Sequence, residues 1–213
     1  MSSPAETSAP QPSPTSAHTG FDPVEFWFLH QKKIIALAVL FIVGLVGYTL
    51  FTINENRSRA AADAAYASAK TADDFRKVAQ EYSGQPAAGN AQLQLAALQR
   101  DEGKLDDANT TLRKFIAEYP EHPMLAGARL ALAENAEAAG KQDEALTGYQ
   151  KVLTTFPSSY AAPLALLGQG RIQKAKGQND LAKRTYEQIQ SQFQGSPFQM
   201  EAMQELRSLS KPQ

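Results

Sequence analysis

Hydrophobic residues follow three different patterns along this chain of 213 residues. Residues 1–23 are rich in Pro, Ser, Thr and Ala and offer almost no apolar surface, so they are predicted to be a disordered tail. Residues 34–53 are an apolar run without any charged residue. Beyond residue 59, apolar positions recur with helical spacing among polar ones, which predicts a series of amphipathic helices. The pattern therefore predicts an all-α protein.

The apolar run 34–53 is long enough to cross a membrane. At about 1.5 Å per residue, a helix of this length covers about 30 Å, the thickness of the hydrocarbon core of a bilayer. The aromatic and basic residues ahead of the run suit the headgroup region. Residues 24–58 are therefore predicted to form a membrane-proximal collar and a transmembrane helix. The collar contains Phe26, Trp27, Phe28, His30, Lys32 and Lys33.

A cleaved signal peptide is the alternative interpretation of this run. Such a peptide ordinarily has an apolar region of about 7–15 residues, followed directly by a cleavage site. Here the run is longer, and the small residues 60–62 lie beyond Arg57 and Arg59. An uncleaved signal anchor is therefore favoured. Basic residues flank both ends equally, but Lys32 and Lys33 adjoin the span directly, which favours an N-terminus in the cytoplasm.

The rest of the chain repeats itself every 37 residues. Each copy contains a glycine, then an alanine, then an apolar stripe that ends in an aromatic residue. We interpret each copy as a helical hairpin in which the glycine ends the first helix, the alanine lets two helices approach closely, and the stripe lies on the second helix. The matched positions are Gly103, Gly140 and Gly177; Ala108, Ala145 and Ala182; Leu112, Tyr149 and Tyr186; Phe115, Val152 and Ile189; and Tyr119, Phe156 and Phe193.

Proline follows the apolar stripe in two of the three copies. Pro120 and Pro157 occupy this register, and Gln194 takes their place in the third copy. Since proline cannot continue a helix, it is predicted to stop the second helix in the two copies that contain it. The repeat domain is predicted to cover residues 59–213, with repeats at about 59–86, 87–122, 124–159 and 161–195 and a capping helix at 197–209.

The two ends of the array depart from the repeat. The Ala-rich residues 59–70 are predicted to continue the membrane helix as a stalk. Thr71 and Asp74 have the spacing of a capping box, which places them at the start of the second helix of a degenerate leading repeat. Ser196 and Pro197 are predicted to open the last helix, with Ser196 as its N-cap.

A hairpin with Gly, Ala, aromatic and Pro residues at these spacings resembles the tetratricopeptide repeat, although its period of 37 exceeds the usual value of about 34. The resemblance implies one transmembrane helix followed by an α-solenoid of about three to four hairpins. The order of tail, anchor, degenerate repeat and hairpins, with the ending SPFQMEAMQELRSLS, also resembles the YfgM-like family over roughly residues 24–210.

The YfgM-like resemblance implies a location and a set of partners. It implies a single-pass protein of the bacterial inner membrane, with a cytoplasmic N-terminus and a periplasmic repeat domain. Such a protein acts beside the SecYEG translocon, with a membrane-anchored periplasmic chaperone as partner, and binds client polypeptides. The alternative is a cell-envelope coordinator or assembly factor of the CpoB or outer-membrane-assembly type. The lipoprotein branch of that alternative needs a cysteine, and the chain has none.

Composition and charge argue against several other classes of function. The formal net charge is −1, without the basic excess that a nucleic-acid-binding domain usually carries. The absence of cysteine excludes thiolate metal sites and Cys nucleophiles. His18, His30 and His122 are not placed to share a metal, and Gly168 and Gly170 lack the third glycine of a dinucleotide fingerprint. No enzyme activity, cofactor, metal or small-molecule substrate is expected.

The resemblance to tetratricopeptide repeats also implies where a protein partner binds. In such arrays the first helices line a concave face, and their side chains contact the ligand. The candidates are Asn90, Arg100, Asp101, Glu134, Glu137, Arg171 and Lys174, together with Ala97 and with Leu93, Leu130 and Leu167, which are expected to be shared with the core. Glu134 and Glu137 could equally form ion pairs with Arg171 and Lys174 across neighbouring repeats.

Overall fold

The computed structural model describes residues 23–210, so the predicted disorder of the N-terminal tail falls almost wholly outside the described residues. The described part of the chain is all-α, with short turns between its helices. The helices are α1 (Pro23–Ser68), α2 (Ala72–Glu81), α3 (Pro86–Asp101), α4 (Leu105–Glu118), α5 (Leu125–Ala138), α6 (Gln142–Thr155), α7 (Ala161–Ala175), α8 (Asn179–Gln192) and α9 (Gln199–Leu209).

The chain divides into two compact units, residues 1–53 and residues 54–213. The described part of the first unit is the N-terminal part of α1, whose residues 34–53 have no charged side chain on any face. Its most hydrophobic stretch has a mean hydropathy of 2.7, and no residue of that stretch is buried by other described residues. Phe41, for example, is 72% exposed. Its length and composition are those of a membrane span.

The second unit is a stack of helical hairpins. Three complete hairpins, α3–α4, α5–α6 and α7–α8, follow one another in the described chain, and the first helix of each packs on the second helix of the hairpin before it. The predicted close approach is confirmed at Ala108, Ala145 and Ala182, each of which is fully buried at 0% exposure. The unit is therefore an α-solenoid with a core that continues from hairpin to hairpin.

Each first helix of these hairpins ends in a turn that contains the predicted glycine. Gly103, Gly140 and Gly177 have φ angles of 75°, 73° and 70°. Residues with a Cβ rarely adopt this left-handed conformation, which turns the chain sharply into the second helix. The prediction that these glycines end the first helix is confirmed.

A second helix can end without a following proline. α4, α6 and α8 end at Glu118, Thr155 and Gln192, which share one register even though the third copy has Gln194 in place of proline. In all three copies the C-cap is an aromatic residue at least partly buried against the core, and its amide still donates to the helix. α4 and α6 end two residues before their prolines, as predicted, and α8 ends in the same register without one, so the aromatic C-cap is the feature that all three helix ends share.

The leading and trailing helices of the solenoid were predicted with different success. α2 begins with the predicted capping box: the Thr71 side chain accepts the amide of Asp74, and the Asp74 carboxylate accepts the amide of Thr71. The last helix, by contrast, begins at Gln199 with Phe198 as N-cap, and the prediction of Ser196 as N-cap is wrong. The carbonyl of Ser196 accepts the amide of Gln199 in a turn, which delays the helix.

Two glycines inside α7 make room for tyrosine rings. A Cβ added to Gly168 would lie 2.3 Å from Cζ of Tyr149, and a Cβ added to Gly170 would lie 2.4 Å from Cε1 of Tyr186. Both distances are far shorter than a van der Waals contact. This pair of glycines, which lacks the pattern of a nucleotide fingerprint, therefore serves helix packing.

Candidate protein-binding surface

Ion pairs join the first helices of successive hairpins. α3, α5, α7 and the terminal helix α9 each contribute to this set, which we call the ion-pair ladder. Its members lie near the C-terminal ends of α3, α5 and α7. The pairs are Arg100–Glu134, Glu137–Arg171 and Lys174–Glu205, with N–O distances of 2.8, 3.0 and 2.7 Å.

All the predicted polar site residues except Asn90 lie in or beside this ladder. The ion pairs already neutralise most of their charges. Of the ion pairs across neighbouring repeats that the sequence suggested, the structure contains Glu137–Arg171. Glu134 instead pairs with Arg100 on α3. Lys174 reaches forward to α9, where it also donates to the hydroxyl of Ser208 at 2.8 Å. The ladder therefore links repeats and cannot be regarded as a free set of ligand contacts.

The middle rung of the ladder includes a buried phenol. The hydroxyl of Tyr149 donates to the Glu137 carboxylate, which also accepts two hydrogen bonds from Arg171 at 3.0 and 3.2 Å. Burial and the Glu137 carboxylate raise the pKa of the Tyr149 phenol. Burial alone would lower the pKa of the Arg171 guanidinium, but the hydrogen bonds and charge of Glu137 outweigh it and raise this pKa. At neutral pH, Tyr149 therefore remains a donor.

A groove of about 570 Å³ lies between α3, α5 and the start of α7. We call it the first-helix groove. Its walls are mainly aliphatic and small side chains, and two large apolar residues remain exposed there: Met124 at 42% and Tyr160 at 49%. Arg100, Asp101 and Glu134 lie at the other end of its walls, close to the C-terminus of α3. The apolar lining also includes Leu93, Ala97, Leu130, Ala131 and Leu164.

The position of Tyr160 depends on a glycine in the facing helix. A Cβ added to Gly127 would lie 1.9 Å from Oη of Tyr160, so the phenol lies directly over the backbone of α5. The Tyr160 hydroxyl is also 4.0 Å from the sulfur of Met124. Burial raises the pKa of the Tyr160 phenol, and the charge of Glu134 adds to this effect. The Gly127–Tyr160 contact shapes one end of the groove.

Neither Met124 nor Tyr160 was among the predicted site residues, although the sequence contains a signal for one of them. In the register of Tyr160, the other copies have Pro86, Pro123 and Pro197. A single aromatic residue at a position otherwise held by proline indicates a feature peculiar to one repeat. The exposure of Met124 has no such signal, because it depends on how two hairpins meet.

The structure places the remaining predicted residues elsewhere. Asn90 does not line the groove but lies at a second cavity of about 640 Å³, together with Arg59, Tyr119 and His122. Leu167 is 1% exposed and belongs to the core.

His122, which lies in the turn before α5, is partly buried. Its ring stands edge-on to Phe115 at 5.0 Å, and its Nδ1 accepts the amide of Met124 at 3.1 Å. Burial lowers the pKa of His122. Within residues 23–210, no group of His, Cys, Asp and Glu side chains is arranged to hold a metal ion.

The family model described as a tetratricopeptide repeat-like domain matches residues 25–205. The chain belongs to the tetratricopeptide repeat-like family. Repeat folds of this kind are typically scaffolds that bind protein partners rather than enzymes. No curated protein matches the chain.

Solved structures show the same fold at low sequence identity. Two crystal structures of nearly identical TPR-like repeats from a protein described as a kinesin light chain of Podosopora anserina, one of them carrying a single substitution, are similar to this tetratricopeptide repeat-like chain. Each is 18% identical, with a TM-score of 0.50, over 72% of this chain and 84% of the other. At this identity the likeness concerns the fold alone.

Proposed function

We propose that this protein is a membrane-anchored protein–protein interaction module whose solenoid binds partner or client polypeptides. The observation that carries the proposal is the first-helix groove, where Met124 and Tyr160 leave large apolar surfaces exposed on a repeat fold that generally serves protein binding. Exposed apolar surface in a groove favours association with another apolar surface. The contacts proposed within the groove are Arg100, Asp101, Glu134, Met124 and Tyr160. The other predicted residues, Asn90, Glu137, Arg171 and Lys174, lie outside the groove and are proposed as flanking contacts.

The N-terminal part of α1 serves as the anchor in this proposal. Its apolar faces are exposed throughout, and a helix of this composition is stable in the hydrocarbon core of a bilayer. Lys32 and Lys33 adjoin the apolar stretch, which supports a cytoplasmic N-terminus and a periplasmic solenoid. The proposed location is the bacterial inner membrane.

The proposed setting is the exit of the SecYEG translocon, with a membrane-anchored periplasmic chaperone as partner. The support for it is the resemblance of residues 24–210 to the YfgM-like family in the order of their segments. The competing role, a cell-envelope coordinator of the CpoB type, usually involves a cleaved signal sequence. Mass spectrometry of the mature N-terminus separates the two roles, because a start near residue 60 would contradict the anchored protein.

Site-specific photocrosslinking in cells tests the binding function. A photoreactive residue placed at Tyr160 should capture polypeptides, because this side chain is half exposed in the groove. The matched control is Gln178, an exposed residue in the turn before α8. Equal capture from both positions, or capture only from Gln178, would contradict binding through the first-helix groove. A phosphatase fused after Gln213 should be active if the solenoid is periplasmic.

A further inference from the structure

We propose that the first-helix groove binds a polypeptide segment in which an apolar side chain and a lysine or arginine lie about five residues apart. This inference rests on the proposed polypeptide-binding function and adds the chemistry of the bound segment. The two ends of the groove differ in chemistry. One end is apolar and the other is acidic.

The apolar end is formed by Met124, Gly127 and Tyr160. Met124 is 42% exposed and Tyr160 is 49% exposed, so both retain surface that a ligand side chain could cover. Gly127 has no Cβ, and the Tyr160 ring occupies the space that a side chain would take. Burial of an aliphatic side chain against a thioether and an aromatic ring is favourable because it removes apolar surface from water.

The other end carries one uncompensated acidic charge. Arg100 and Glu134 neutralise each other at 2.8 Å. Asp101 also lines the groove, and the described chain offers it no ion pair or hydrogen bond. Asp101 is the last residue of α3, where the helix dipole adds partial negative charge. A basic side chain is therefore attracted to this end, and an acidic one is repelled.

The separation of the two ends sets the spacing of the ligand residues. Met124 is the N-cap of α5, and Glu134, which pairs with Arg100 beside Asp101, lies ten residues further along the chain. At about 1.5 Å per residue, the helix separates them by about 15 Å. An extended segment covers that distance with about five residues, since each contributes about 3.3 Å. The apolar and basic residues of the ligand should therefore be about five positions apart.

Fluorescence anisotropy with defined peptides tests this chemistry on the full chain in lipid nanodiscs. The probe is a labelled Gly–Ser peptide that carries a pair of leucines and, about five residues away, a pair of lysines. In matched peptides the lysines are replaced by glutamates, or the leucines by serines. We expect the Leu–Lys peptide to bind about tenfold more tightly than either of the others, which corresponds to about 1.4 kcal/mol.

Two variants test whether binding occurs in this groove. Asp101→Asn should weaken the Leu–Lys peptide about two- to fivefold, as for a partly exposed ion pair, and should not weaken the Leu–Glu peptide. Gly127→Ala should displace the Tyr160 ring and weaken both leucine peptides. Asp106→Asn, which removes an exposed acid on α4 outside the groove, is the matched control and should leave all three affinities unchanged.

The outcomes separate this inference from the proposed function. Equal affinity for the Leu–Lys and Leu–Glu peptides, or binding that neither variant alters, would overturn the inference and leave polypeptide binding intact. Failure of every peptide to bind would count against the proposed function itself. Self-association that Met203→Ser abolishes would assign the groove to α9 of a second copy, which exposes Met200 and Met203, and would also overturn the inference.

Discussion

The hairpins α5–α6 and α7–α8 hold a tyrosine at the same register, but the two phenols differ in their partners. Tyr149 donates to Glu137, whereas the hydroxyl of Tyr186 is buried without a hydrogen-bond partner in the described chain. The residue that corresponds to Glu137 in the later hairpin is Lys174, which donates to Glu205. An ammonium group cannot accept the proton of a phenol. One substitution on the first helix thus leaves the second phenol without an acceptor.

The comparison shows which part of the tyrosine the repeat requires. Both rings are completely buried, at 0% exposure, although only one hydroxyl is satisfied within residues 23–210. A buried hydroxyl without a partner costs about 1–3 kcal/mol. Burial of the ring outweighs this cost in the α7–α8 hairpin. The first hairpin has Leu112 at this register, so a buried apolar side chain is what the three copies share.

The largest expected effect concerns the space for the rings. Gly170→Ala should lower the free energy of unfolding by about 1–3 kcal/mol, because its Cβ would overlap the fully buried ring of Tyr186. Adding Tyr186→Leu should recover much of this loss, since the pair then matches Ala96 and Leu112 of the first hairpin. Urea unfolding of the full chain in detergent measures both variants.

Gly127→Ala is the matched control for this experiment. Gly127 is also a helical glycine, but its added Cβ would meet the free end of the half-exposed Tyr160 side chain, which can move away. The variant should be neutral or more stable by up to about 1 kcal/mol, the helix propensity gained from Ala over Gly. Additive losses in the Gly170→Ala, Tyr186→Leu double variant would contradict the assigned contact.

The next effect separates the two hydroxyl groups. Tyr149→Phe should lower the free energy of unfolding by about 1 kcal/mol or more, because it removes a buried hydrogen bond to a carboxylate. Tyr186→Phe should be neutral or stabilising, because it removes an unpartnered buried hydroxyl. The same unfolding measurement compares the two, and equal losses would show that Tyr186 has an acceptor after all.

A smaller effect is expected for the cations of the ion-pair ladder. Arg171→Gln and Lys174→Gln each remove a partly exposed ion pair, and each should cost about 0.2–1 kcal/mol. Arg171→Gln should lower the free energy of unfolding more than Lys174→Gln, because the Glu137 carboxylate would then keep only its hydrogen bond from Tyr149. High salt should reduce both effects. Losses that do not change with salt would indicate a packing role for these side chains.

The smallest expected effect comes from the pKa of the Tyr186 phenol, which influences stability only in alkaline solution. Burial raises the pKa of Tyr186 to about 12, from an ordinary value near 10. A group with a raised pKa in the folded state stabilises the fold fully below its unfolded pKa, and this contribution is lost as the pH rises through the folded pKa. The wild type should therefore lose stability above about pH 10, and Tyr186→Phe should lose less. Identical alkaline profiles would contradict the burial of this phenol.

Much of the solenoid could be predicted because its determinants are local or periodic. The glycine turns follow from a backbone conformation that only glycine adopts easily, and the buried alanines follow from their place in the 37-residue period. The capping box at Thr71 and Asp74 involves residues three positions apart. The prediction of Ser196 as N-cap was wrong. The sequence motif does not exclude a turn before the helix, and in the structure the carbonyl of Ser196 accepts the amide of Gln199 in such a turn.

The candidate site was less accessible to sequence reasoning. The repeat period identified the first helices, and therefore the residues of the ion-pair ladder, but it could not choose their partners. Arg171 pairs with Glu137, whereas Glu134 pairs with Arg100. Met124 and Tyr160 were missed because each is a loop-end residue whose exposure depends on the helix that faces it.

The sequence by itself determined the number of hairpins, their turns and the apolar helix, since each is encoded by residues close together in the chain or by a fixed period. Only the tertiary structure decided which charges are compensated, which phenol lacks an acceptor and where apolar surface remains open. These properties depend on distances of a few ångströms between residues 12–36 positions apart. Helix packing sets such distances, and a one-dimensional pattern does not contain them.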